Sequence, residues 1–386
     1  MTLVPPPLSL YVHMPWCVRK CPYCDFNSHG VRGGTPDYAS YVDVLLADLD
    51  ADLRDVGAAV HGRRIETVFF GGGTPSLFSP ELVGRFLDGA RERLAFATDA
   101  EVTLETNPGT VEHGRFDGYL AAGVNRISFG VQSFDDDKLR RLGRIHSSNE
   151  AADAVRQAQD AGIDNINIDL MYALPEQTLE GALDDVDRAI ALSPTHVSHY
   201  QLTLEPNTAF AANPPPLPDD DAAWAIQEAC EARLAEAGYG QYEVSAYARP
   251  GRRCEHNLNY WRFGDYLGIG AGAHGKISDA TGVRRRWKTR LPAAYLASAG
   301  QPARIGGDGL VMAADLPFEY MLNALRLIDG VPATDFAERT GVPAGSIAAA
   351  RAACIERGWL VDDETLLKTT PLGQRFLNDV IEAFMA

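Results

Sequence analysis

A chain of 386 residues has room for two domains, or for one large α/β domain with an appendage, and length enough to bury a core. Hydrophobic residues make up 46% and charged residues 23%, an ordinary globular composition, and no apolar run approaches the roughly 18 residues of a transmembrane helix, so a soluble chain is expected. With 35 basic against 52 acidic residues the net charge is -17, which repels phosphate backbones and argues against nonspecific nucleic-acid binding.

From residue 8 onward, short apolar runs alternate with amphipathic stretches, the pattern of a parallel sheet built from βα units. Strands are predicted at Leu8 to His13, Thr67 to Phe70, Glu101 to Glu105, Arg126 to Val131, Asn165 to Leu170 and Val197 to Leu202. Directly after the first comes His13-Met14-Pro15-Trp16-Cys17-Val18-Arg19-Lys20-Cys21-Pro22-Tyr23-Cys24. Three cysteines stand where a metal or iron-sulfur site ordinarily wants four ligands. A C-x3-C-x2-C loop can hold three irons of a cubane and leave the fourth open to a small-molecule ligand, which a low-potential cluster can then reduce. The alternative is a zinc knuckle with His13, Asp25 or His29 as the fourth ligand, although x3 followed by x2 is unusual for structural zinc. A disulfide fits less well, because no signal peptide precedes the chain and a reducing cytosol is expected. Cys230, Cys254 and Cys354 read as small buried apolar residues.

A helix is expected after this loop, with Thr35 as cap, Pro36 at its first position and Tyr38, Tyr41, Val42, Leu45, Leu46, Leu49 and Leu53 on one face. Ser147 and Glu150 have capping-box spacing, and Leu183, Val186 and Ile190 mark a helix face after Thr178. The proline-rich stretch Asn213 to Asp221 reads as a boundary. Three regions are expected: a barrel over 1–212, a middle region over 213–315 and a winged-helix-like module over 316–386. The last contains six Lys or Arg and ten Asp or Glu, so it reads as a docking or lid module and not a DNA reader. The basic run Arg284-Arg285-Arg286-Trp287-Lys288 reads as a solvated loop face or as a holder of ligand carboxylates or phosphates.

In parallel β/α barrels chemistry gathers at the carboxyl ends of the strands, and the polar oddities of this sequence fall there. Gly71-Gly72-Gly73-Thr74-Pro75 follows the second strand, where backbone N–H groups could approach a ligand carboxylate; a plain tight turn is the alternative. Glu105, Gln132 and Asp169 stand at the ends of the third, fourth and fifth strands, suited to a ribose hydroxyl or an ammonium group or, equally, to buried structural hydrogen bonds. Arg144 follows in a connection, as a carboxylate contact or an ordinary ion pair.

The cysteine spacing is similar to that of the radical S-adenosylmethionine (SAM) enzymes, and the motifs together resemble the oxygen-independent coproporphyrinogen III oxidase family within them. Tyr11 to Cys17, Gly71 to Pro75, Phe129 to Phe134 and Ile168 to Pro175 carry the likeness, which runs over nearly the whole chain. It implies a partial (β/α)6 barrel with a carboxyl-terminal α+β domain, and a [4Fe-4S] cluster on Cys17, Cys21 and Cys24. It further implies SAM contacts from Tyr11, Tyr23, Gly72, Gly73, Thr74, Glu105, Gln132, Arg144 and Asp169, and a low-potential electron donor. Two departures point to the heme-chaperone branch of the family. Phe26 stands where the oxidase pattern has a further cysteine, and the cluster loop is reached by residue 17, without the oxidase's amino-terminal extension.

His256-Asn257-Leu258-Asn259-Tyr260-Trp261 looks like that branch's proposed heme motif, which makes His256, Tyr260 and Trp261 heme candidates beside His274, with Arg284 to Arg286 placed to meet propionates. The resemblance thus implies a heme carrier that serves respiratory membrane proteins; a cytoplasmic place is expected, and so acidic a chain could dimerise or make peripheral membrane contact only through a local patch, for which the arginine run is the one candidate. Oxidative decarboxylation of coproporphyrinogen and radical SAM methyl transfer are the alternative activities.

Overall fold

In a computed structural model, residues 3–31, 34–110 and 115–385 are described. All six predicted strands form: β1 (Leu8–Met14), β2 (Arg64–Gly72), β3 (Ala95–Thr106), β4 (Arg126–Gln132), β5 (Asn165–Tyr172) and β6 (His196–Gln201). They pair in parallel in that order. Alternation along β1 explains its place: Leu8, Leu10, Val12 and Met14 enter the hydrophobic layer under the helices, whereas Ser9, Tyr11 and His13 face the polar interior of the barrel.

Helix α1 (Tyr38–Val60) begins two residues later than expected. Asp37, not Thr35, is its cap, because the Asp37 carboxylate accepts the Ser40 N–H at 2.9 Å. The Ser147 capping box forms as expected at helix α2 (Ser148–Asp160), and Thr178 caps helix α3 (Leu179–Ala191). Beyond the proline-rich stretch, Asp219 caps helix α4 (Asp220–Glu236), whose Ala223, Ile226, Cys230 and Leu234 enter the same core as the barrel strands.

The middle region adds strands that were not expected. β7 (Gly240–Glu243) and β8 (Ala246–Ala248) extend the sheet past β6. On the other edge β9 (Asp265–Ile269) pairs in parallel with β1, followed by the antiparallel β10 (His274–Asp279), β11 (Gly282–Lys288) and β12 (Ile305–Leu310). The result is a 12-stranded sheet in the order β12-β11-β10-β9-β1-β2-β3-β4-β5-β6-β8-β7.

The basic run is therefore a strand and not a solvated loop. Alternate side chains leave β11 on opposite faces, so Arg286 and Lys288 reach Asp52 of α1 while Arg285 reaches Glu319. Lys288 Nζ lies 2.6 Å from Asp48 and 2.7 Å from Asp52, and Arg304 bonds both aspartates at 2.9 Å. Asp48 and Asp52 are one helical turn apart and buried, so α1 presents two carboxylates within its apolar face.

A second core gathers the C-terminal residues around Leu316, Tyr320, Met321, Phe336, Ile347, Leu360 and Leu367. Its helices span Leu316–Ala324, Ala333–Thr340 and Ala348–Glu356. Short strand pieces accompany them, with Leu360 bridging Thr369 and Leu366–Leu367 pairing with Val331–Pro332. Cys230, Cys254 and Cys354 are buried and free, as expected. Among the described residues no helix is long and apolar enough to cross a membrane.

Candidate functional site

At the carboxyl ends of the barrel strands lies a cavity of about 400 Å³. Its walls take Cys17, Cys21, Tyr23 and Cys24 from the cluster loop, Gly72, Gly73 and Thr74 from the glycine run, and Glu105, Gln132, Arg144 and Asp169 from the strand ends and their connection. Sequence positions from 17 to 169 are thus brought to one concave surface. Tyr11 is the exception. Its hydroxyl bonds His13 Nδ1 at 3.0 Å and its ring stacks on Phe69, deeper in the barrel.

The cluster loop is held to the barrel by close backbone contact. Gly73 N–H donates to Met14 O and Thr74 N–H to Trp16 O, at 2.8 and 2.7 Å. A Cβ on Gly73 would lie 2.6 Å from Trp16 O, and one on Gly72 would lie 2.3 Å from His13 Cε1 at a backbone φ of +108°. Gly72 N–H donates to Glu105 Oε2 at 3.2 Å. These three N–H groups are therefore occupied within the protein and do not point to a ligand carboxylate, as the sequence had led us to expect. The glycines are needed because loop and strand approach too closely for a side chain.

The three cysteines are free and half-buried. Burial raises the thiols of Cys17 and Cys24, with Ser28 opposing the shift at both. Arg144 Nη1 approaches Cys21 Sγ at 3.8 Å and a second guanidinium nitrogen donates to Gly130 O, while its Nε is buried without a partner. Arg144 thus brings a buried cation to the edge of the cysteine loop. For the zinc alternative, His13 offers no free nitrogen: Nδ1 bonds Tyr11 and Nε2 bonds Asn27 O at 3.0 Å. Among the described residues no three Cys, His, Asp or Glu side chains converge as ligands of a single ion.

The opposite wall is acidic. Burial first, then repulsion from Asp169, pushes the Glu105 carboxyl up to about 8, and burial also raises Asp169. Asp169 accepts from Asn167 Nδ2 at 2.7 Å and from Ser128 Oγ at 3.2 Å. Two carboxyls in a space of low polarity suit a ligand that carries positive charge or several hydroxyls. Gln132 takes a left-handed φ of 73° and accepts from Tyr200 hydroxyl at 2.7 Å. The following turn is fixed by Asp185, which accepts from Ser133 Oγ and Phe134 N–H. Tyr200, Ser128, Met171 and Arg19 also line the cavity and were not singled out from sequence. For Tyr200 the signal was available, since it sits at the carboxyl end of the sixth predicted strand.

Comparison with known proteins agrees with this architecture. The Radical SAM superfamily matches residues 11–189, and the HemN C-terminal domain matches residues 311–376. Among solved structures, coproporphyrinogen III oxidase (HemN) from Escherichia coli, a radical SAM enzyme, superposes with a TM-score of 0.82 at 23% identity, covering 98% of this chain and 90% of that one. Heme chaperone HemW of Escherichia coli (strain K12) is 50% identical over 99% of both chains. The chain belongs to the HemW family. A second HemW, from Haemophilus influenzae, is 49% identical over 98% of each chain. At 23% identity the likeness to HemN concerns the fold, which is the radical SAM partial barrel with its C-terminal domain.

In this HemW-family chain the His256 to Trp261 string forms helix α5 (Glu255–Trp261), which plugs the interior of the barrel. His256 is fully buried, and both ring nitrogens are engaged: Nδ1 with Thr67 Oγ1 at 2.7 Å and Nε2 with Tyr260 hydroxyl at 2.9 Å. It stacks on Phe69, and burial lowers its ring to about 3. As folded here it is a core histidine with no lone pair free for an iron. Trp261 lies under Arg326, 4.3 Å from the guanidinium to the ring centre. His274 is exposed at the start of β10 and stacks on Trp287. The arginines expected to meet propionates are each paired, Arg284 with Asp308, Arg285 with Glu319 and Arg286 with Asp52, Asp55 and Asp308.

Proposed function

We propose that this chain is a heme chaperone that retains a radical SAM core and hands heme to respiratory membrane proteins from the cytoplasmic side. The observation that carries the reading is full-length likeness, at 50% identity, to a protein named heme chaperone HemW. The cavity supports its cofactor part. Cys17, Cys21 and Cys24 would hold a [4Fe-4S] cluster, and their three-ligand set beside a cavity of about 400 Å³ suits a cluster that shares one iron with SAM. When bound, the cluster supplies an electron, drawn from a low-potential donor, to SAM. Arg144 sets a positive charge beside the Cys21 sulfur; Glu105 and Asp169 supply acceptors for the cationic and hydroxyl groups of SAM; Tyr200 fixes Gln132. Phe26, in place of a further cysteine, separates the chain from the oxidase pattern.

Anaerobic reconstitution followed by hemin titration tests the reading. The purified chain is expected to give a shifted Soret band at one hemin per chain, and to leave coproporphyrinogen III unconverted with SAM and dithionite. Turnover to protoporphyrinogen would overturn the carrier function in favour of the oxidase. Cys21→Ala is expected to lose the brown chromophore, with iron and sulfide analysis as the check.

A further inference from the structure

We propose that His274 is the axial ligand of the carried heme, and that Trp287, Phe26 and Leu291 form an exposed lip on which the porphyrin lies. The inference rests on the heme-carrying reading above. It starts from the chain's nine histidines, of which His113 lies outside the described residues. His13, His146, His196 and His256 have both ring nitrogens bonded inside the protein. His199 is buried and His29 bonds Asn27. His61 ends α1, beside the amino end of β2 and away from the cavity. His274 alone among the described histidines combines exposure, a place at the carboxyl end of the barrel and no hydrogen-bond partner on either nitrogen.

Its surroundings form a built surface. His274 pairs across the strands with Trp287, ring centres 6.0 Å apart and planes within 20°. The indole in turn lies over two glycines of β12. A Cβ at Gly307 would come within 1.9 Å of it, and one at Gly306 within 2.9 Å. Asn27 ties this edge to the cluster loop by donating from Nδ2 to Ala271 O and Arg290 O, both at 2.9 Å, through the gap left by Gly272. Phe26 and Leu291 directly adjoin the tied residues Asn27 and Arg290 in the chain, and Trp287 precedes Arg290 by three positions; they are exposed by 60%, 63% and 39%, and Phe26 also lines the cavity. Arg290 is exposed beside them with no carboxylate at ion-pair distance among the described residues.

A flat apolar ring system with carboxylate tails and a metal that takes imidazole fits this combination. Openness on one side also suits a carrier that must release its load, whereas ligation by His256 would require α5 to leave the barrel and break two buried hydrogen bonds.

Hemin titration of the full chain by absorption and resonance Raman decides it, with iron-free protoporphyrin IX as a second probe. The wild type is expected to show a histidine-ligated spectrum. His274→Ala should lose that signature and bind hemin roughly tenfold or more weakly, with added imidazole restoring the spectrum and the melting temperature unchanged. Protoporphyrin IX, lacking iron, should bind the wild type and His274→Ala alike but bind Phe26→Ser more weakly. A His274→Ala protein that keeps wild-type ligation and affinity overturns this assignment and leaves the carrier reading intact. A wild type that binds no hemin overturns the carrier reading itself.

Discussion

At the scale of single residues, the cavity places a proton-holding carboxyl where a cation is expected. Glu105, pushed up to about 8, is mostly protonated at neutral pH unless a cation stands beside it. A positively charged ligand favours its ionised form, so binding releases a proton and affinity rises with pH until about 8 and then levels. Calorimetric titration of the reconstituted protein with SAM is expected to show affinity increasing from pH 6.5 to 8, and Glu105→Gln should flatten that dependence. Gly73→Ala makes a separate test, since its Cβ would press on Trp16 O at 2.6 Å. It is expected to displace the cluster loop and cut the iron content after reconstitution, while an alanine at the exposed Gly309, with open space around it, leaves iron content unchanged.

The rim carboxylates were legible because strand ends can be found by periodicity and each polar side chain there stands out. The purpose of the glycine run was not, since a sequence shows that side chains are absent without showing what comes near. For His256 the motif was visible, but not that Thr67 and Tyr260 would occupy both its nitrogens.

At the scale of elements, the strand Gly282–Lys288 shows what a local reading lacks. Arg286 and Lys288 read as solvated because their aspartate partners on α1 lie more than 200 positions away. A trace did exist in Asp48 and Asp52, which interrupt the apolar face of that helix next to Leu45 and Leu49. Buried carboxylates at helical spacing on a core face demand cations from elsewhere. The six barrel strands, by contrast, declare themselves locally, through short strand-like runs that alternate with amphipathic helices. Replacing Lys288 by Met leaves Asp48 and Asp52 less compensated and is expected to cost about 3 kcal/mol or more, read from denaturant unfolding. Exposed pairs such as Arg156 with Asp153 should cost under about 1 kcal/mol by the same measurement.

For the whole molecule, acid is the expected weakness. Burial holds His13, His146 and His199 at about 4 and His256 at about 3, with His196 also lowered. In the unfolded chain each protonates near pH 6.5. Their support is complete above that value and is lost as pH falls towards 4. Asp185, raised to about 6, Glu105, Asp169, Glu255 and Asp335 act in the opposite sense, favouring the fold as they protonate, but burial lowers seven histidines once His29 and His274 are included. The melting temperature of cluster-free protein is therefore expected to decline from pH 6.5 to 4.5; a rise over that interval would show that the histidines are not buried as neutral rings.

The pairing of β9 with β1 bears on how such a chain can be cut and recombined. A fragment stopping at residue 212 would contain every cysteine of the cluster loop and all six barrel strands, yet β1 would become a bare edge, and the apolar face of α1 around Asp48 and Asp52 would lose its cover together with Lys288 and Arg304. The barrel half is therefore not a transplantable cassette. Any graft between relatives would have to carry the strand-to-helix clasp along intact.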